Sequence, residues 1–88
     1  MVDPSSGGQT EAFKDIIRQL GTAAFVYLGE IPDPETGVRS ESLESAKPII
    51  DQLQALEAKT SGNLTDDEKA LLTRTLKQST RVFSEKMS

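Results

Sequence analysis

The side chains of this chain that could do chemistry are carboxylates, bases and hydroxyls, because histidine, cysteine and tryptophan are absent. No imidazole is present to move protons near neutral pH, and no thiolate to act as a nucleophile. The same absence removes Cys and His ligands for structural zinc and any disulfide framework. Four groupings remain. Glu30, Asp33 and Glu35 sit in one Pro-rich stretch, and carboxylates so placed could hold a hard cation such as calcium or magnesium. Their spacing does not fit the helix-loop-helix calcium loop, since Val38 stands where that loop needs glycine and Gly37 comes one place early. A solvated loop is the simpler reading. Asp66, Asp67 and Glu68 form a second acidic group. They follow Thr65 as a helix start would require, with Thr65 and Glu68 able to form a reciprocal cap.

The third grouping is Arg74, Lys77 and Arg81, whose spacing puts three bases on one stripe of a helix. Such a stripe could meet an acidic partner, the acidic middle of another copy, or an RNA backbone. Three bases neutralise few phosphates, and no aromatic residues are interleaved for base stacking, so nucleic acid is disfavoured. Lys59, Thr60 and Asn63 make the fourth, a turn where a ligand-holding notch competes with plain left-handed turn geometry. No Gly-rich phosphate loop is present. These groupings predict no catalytic residues, no metal site and no cofactor, and the chain reads as not an enzyme.

Elements must position even these few groups. The chain has 88 residues, 35% of them apolar and 27% charged, with 14 acids against 10 bases and a net charge of -4. That is one small domain, and a core of this size is thin without a disulfide, a metal or oligomerisation. The charge is uneven. Residues 30–58 hold seven acids and two bases, and residues 59–88 hold four acids and six bases. The longest apolar run, Ala23 to Leu28, is far short of a membrane span, and the N-terminus lacks the basic and apolar regions of a signal peptide. Both favour the cytoplasm.

Residues 1–9 are rich in Pro, Ser and Gly and are predicted to be a disordered tail, with a single helical domain over residues 10–88. From Thr10, the residues Phe13, Ile16, Ile17, Leu20, Ala24, Tyr27, Leu28 and Ile31 recur with helical spacing. At 100° per residue Phe25 lies about 100° from the centre of that face, and Val26 about 140° away on the other side. The segment ending at Leu28 is therefore apolar nearly all round. Gly29 is the predicted left-handed cap, and Pro32 and Pro34 enforce an extended crossing. A second helix starts at Ser42, with Pro48 as an awkward member predicted to kink it or detach its first turn. It ends near Thr60 and Gly62. A third runs from Thr65 to about Lys86, and the short link makes helices two and three antiparallel neighbours.

Two stretches carry a family resemblance. The first is Leu28-Gly29-Glu30-Ile31-Pro32-Asp33-Pro34-Glu35-Thr36-Gly37. The second runs through Leu43, Ala46-Lys47, Ile50-Asp51, Leu53, Leu56, Lys59-Thr60, Gly62-Asn63-Leu64-Thr65, Glu68 and Leu71-Leu72. Together they resemble a small bacterial family, the domain of unknown function eighteen forty-four, over about residues 13–85. The resemblance implies a helical bacterial protein and brings no activity and no functional residues. Lys14, Asp15, Arg18 and Gln19 depart from the more apolar first helix of that family and speak against a membrane-surface role.

The fold expected is all-α: a long N-terminal helix, a Pro-rich crossing and an antiparallel helix pair, in an oligomeric three-helix bundle. The expected role is a non-enzymatic interaction or adaptor module of the bacterial cytoplasm, most simply a homodimer. Phe25, Val26, Tyr27 and Leu28 are the expected oligomer interface, and Arg74, Lys77 and Arg81 the stripe facing a further protein partner. Two other readings stay open. One is a ligand-binding or enzymatic domain with its pocket at the oligomer interface. The other is a weak RNA-binding module.

Overall fold

A computed structural model describes residues 6–88 of the chain. Three helices follow one another: α1 (Ser6–Tyr27), α2 (Leu43–Lys59) and α3 (Asp66–Met87), with each packed on the other two. The all-α architecture expected from the 3.6-residue periodicity is what the chain adopts. Of the predicted tail, residues 1–5 lie outside the described residues. Residues 6–9 are wound into α1, so that helix begins ahead of Thr10.

Each junction has a local cause. The end of α1 is a Schellman motif: the Gly29 amide donates to the Val26 carbonyl at 3.0 Å, and the Glu30 amide to the Phe25 carbonyl at 3.0 Å. Gly29 takes φ +78°, where a side chain would be strained. The crossing is then closed at its base, where the Ser42 amide donates to the Tyr27 carbonyl at 2.7 Å and Leu28 bridges to Glu41 in antiparallel fashion. Its tip is a turn bonded to itself. The Asp33 carboxylate accepts from the Glu35 amide at 2.8 Å, and the Gly37 amide donates to the Asp33 carbonyl at 2.7 Å.

Ser42 caps α2 by accepting from the Ser45 amide at 3.3 Å. The helix then continues through Pro48 to Lys59, so the first turn is not detached. Pro48 is exposed and sits past the first turn, where its missing amide leaves the Glu44 carbonyl without its helical donor. Pro48→Ala restores that donor and is expected to raise stability by about 1–3 kcal/mol, read as a higher melting temperature. A lower melting temperature would show that the proline rigidity outweighs the missing bond. The start of α3 is a complete capping box: the Glu68 carboxylate accepts from the Thr65 amide at 2.7 Å, and the Thr65 hydroxyl accepts from the Glu68 amide at 3.2 Å.

The core is two apolar lobes joined by a waist of small residues. One lobe centres on Ile17, Leu53 and Leu72, with Phe13, Leu20, Leu56, Leu64, Leu71 and Leu76 around it. The other centres on Leu28, Ala46 and Val82, with Phe25, Leu43 and Phe83 around it. In sequence, Gly21 and Ala24 fall between the lobes on α1, and Ser79 falls between them on α3, with Thr75 beside Leu76 at the edge of the first lobe. A Cβ at Gly21 would stand 2.9 Å from the Thr75 Cγ2, so glycine allows α1 and α3 to touch there. Ser79 is fully buried, and its hydroxyl donates to the Thr75 carbonyl at 2.8 Å, which satisfies the polar atom inside its own helix.

Candidate interaction surfaces

Four of the six grouped carboxylates, Glu30, Asp33, Asp67 and Glu68, have structural partners. Asp33 holds its own turn. Glu30 lies 3.6 Å from the Lys86 ammonium, which also meets Glu41 at 3.4 Å, so Glu30 ties the crossing to the end of α3. Among the described residues no three acidic side chains gather in a group that could hold a metal ion. Glu68 is buried in its cap, and Asp67 approaches Lys14 of α1 at 3.7 Å. At the α2–α3 turn, the Thr60 hydroxyl donates to the Leu56 carbonyl and Gly62 takes φ +85°. A small notch of about 250 Å³ lies beside that turn, but its walls are Glu57, Ser61, Leu64, Asp66 and their neighbours, not Lys59, Thr60 or Asn63.

The four residues expected at an oligomer seam divide between inside and outside. Leu28 is 0% exposed and centres the second lobe, where Phe25 packs beside it. α2 and α3 thus cover that flank of α1 from within the same chain. Val26 and Tyr27 remain on the far side, with Tyr27 39% exposed. Two apolar residues outside the expected interface join them: Ile16, 46% exposed, and the half-buried Ala23. Ile16, Leu20, Ala23 and Tyr27 are spaced four, three and four apart, which makes a straight seam along one side of a helix. Ile31, 37% exposed, lies just beyond the helix end. Beside this seam, a shallow groove of about 530 Å³ runs between α1 and the tip of the crossing, with Thr22, Ala23, Val26 and Tyr27 on one wall and Asp33 to Glu35 on the other.

The basic stripe lies where its spacing places it, on the outer face of α3, with Arg74, Lys77 and Arg81 all exposed. What the spacing did not reveal is the hollow beside it. A groove of about 1020 Å³ runs along α3, and all three bases line it. Ala70, Thr73, Leu76 and Thr80 of α3 line it too, together with Gln54 of α2. Small residues next to long ones on the same face create the hollow, and that pattern of size was readable in the sequence.

A three-helix protein with a satisfied interior, and with apolar and charged surfaces left over on its outside, is the class this geometry defines. The chain belongs to the family described as Domain of unknown function (DUF1844), whose family model matches residues 10–81. That span takes in the Leu28–Gly37 and Leu43–Leu72 stretches, so the resemblance drawn from those residues holds. No curated protein and no solved structure matches the chain. Among the described residues, no helix is long and apolar enough to cross a membrane.

Proposed function

We propose that this chain is a non-enzymatic interaction module of the bacterial cytoplasm that works as a homo-oligomer, most simply a two-fold dimer. The observation that carries this reading is the seam of Ile16, Leu20, Ala23 and Tyr27, left partly open along one flank of α1, with Leu20 bordering the first core lobe. The seam lies along one straight helix and has its smallest residue, Ala23, near the middle. Two copies of α1 laid antiparallel about a two-fold axis near Ala23 would approach closely there. Each Ile16 would then fall beside the partner copy's helix end. A two-fold contact uses the same patch on both copies, and this patch is self-complementary in that sense. The interior gives a second reason. Two of the buried apolar residues, Ala24 and Ala46, contribute little area, and a small core of this kind gains from association. The buried polar side chains favour an interaction role over catalysis, since Glu68 and Ser79 are both engaged in holding their own helix.

Sedimentation velocity tests the reading. The wild-type chain is expected at twice its 9.6 kDa mass at micromolar concentration. Ala23→Arg, which puts a charge at the middle of the seam, is expected to sediment as a monomer with its helical circular dichroism intact. Phe25→Asp is a poor probe, since it would strike the second core lobe. A wild-type chain that stays monomeric at all concentrations, or an Ala23→Arg chain that stays dimeric, refutes the seam.

A further inference from the structure

We propose that the groove along α3 is a docking site for an acidic amphipathic helix of a partner protein. This proposal is independent of the α1 seam, which lies on another helix. It rests first on charge. The chain is acidic overall, and several of its bases are spent on its own carboxylates: Lys14 on Glu11 and Asp67, Arg18 on Asp15, Lys47 on Asp51, and Lys86 on Glu30 and Glu41. The groove differs. Among the described residues Arg39, Lys59, Lys69, Arg74 and Lys77 form no ion pair; three of these five line the groove, and Arg81 beside them has only Glu85 at 4.0 Å. Four bases with little or no internal compensation therefore line one hollow in a protein of net charge -4. Unsatisfied charge of one sign along one open face attracts and orients a partner of the other sign.

Shape supplies the second argument. Beside the bases the groove has a floor of Ala70 and the methyl-bearing Thr73 and Thr80, with the outer edge of Leu76, which also packs on the first core lobe. A basic stripe running beside an apolar strip fits a helix that carries an acidic edge next to an apolar stripe. From Lys69 to Arg81 the groove follows α3 for about 18 Å at 1.5 Å per residue, which matches about three turns of an opposing helix. Asp66 lies at the end nearest the start of α3, so the partner carboxylates belong over Arg74, Lys77 and Arg81. An RNA backbone would use the same bases but would leave the apolar floor unused.

The test uses the full chain and a synthetic labelled peptide of about 18 residues, with leucines on one helical stripe and glutamates along the edge beside it, followed by fluorescence anisotropy. Binding is expected to weaken about tenfold or more when salt is raised from low to several hundred millimolar. Lys77→Glu/Arg81→Glu is expected to weaken binding at least about tenfold while the thermal melt stays near wild type, because both positions are solvent-facing. A peptide of the same composition with its leucines scrambled off the stripe is expected to bind at least about tenfold more weakly. Equal binding of the scrambled peptide, or of a peptide with lysines in place of glutamates, overturns the proposal. So does unchanged binding by the double variant. A single-stranded RNA that competes more strongly than the peptide would make the groove a nucleic-acid site. A change in sedimenting mass caused by the double variant would make the occupant a second copy. Either result rejects the partner helix.

Discussion

Leu53→Ala is expected to lower the free energy of unfolding by about 3–4 kcal/mol, within the range for leucine truncations at fully buried sites. Leu53 is 0% exposed and stands in the first lobe between Ile17 of α1 and Leu72 of α3, so its removal opens a cavity that all three helices share. A domain of 88 residues has roughly 5–13 kcal/mol in total, so one methyl-rich side chain holds a large fraction of it. Urea titration followed by circular dichroism checks this. The midpoint should fall steeply with the slope preserved. A loss below about 1 kcal/mol would mean that the first lobe does not hold the three helices together.

Gly21→Leu is the second substitution with a large expected effect, about 3 kcal/mol of destabilisation. Even a single added carbon would press within 2.9 Å of the Thr75 methyl, and a leucine cannot be placed there unless α1 and α3 move apart. Two opposing terms make the smaller change informative. Gly21→Ala gains up to about 1 kcal/mol of helix propensity but meets the same methyl. In a Thr75→Ser background that methyl is gone, and Gly21→Ala is then expected to stabilise the protein. A double-mutant cycle on these positions should give a coupling of about 1 kcal/mol or more. No coupling would show that the helices do not touch at the waist.

The helices were legible because their signals are local. Ser42, Thr65 with Glu68, and Gly29 stand at the helix ends, where a side-chain oxygen or a left-handed backbone is required, and none of these depends on what packs nearby. Gly62, expected to cap α2, instead lies two residues past its Thr60 cap, in a turn closed by the Asn63 amide on the Thr60 carbonyl. Pro48 was legible as a defect but not in its consequence. The sequence shows the missing donor, while the capped turn that stays attached ahead of it depends on Ser42 and on Ala46 reaching the second lobe. The α1 surface was legible only in part. Ile16 and Ile17 are neighbours in sequence and alike in chemistry, yet Ile17 is sealed in the first lobe and Ile16 faces outward. Periodicity places both on a wide apolar face and cannot say where α2 and α3 will stop covering it.

The sequence alone determined the three helices, the Gly29 end of α1, the caps that start α2 and α3, and the absence of imidazole and thiol chemistry. Each follows from a backbone preference or a residue type that acts within a few positions along the chain. Only the tertiary structure decided which side of α1 is covered, and that Leu28 and Phe25 lie within the protomer while Val26 is half-buried beside the crossing and Tyr27 is exposed. These depend on how closely the helices approach, which Gly21 and the other small residues of the waist set by touching partners far away in sequence.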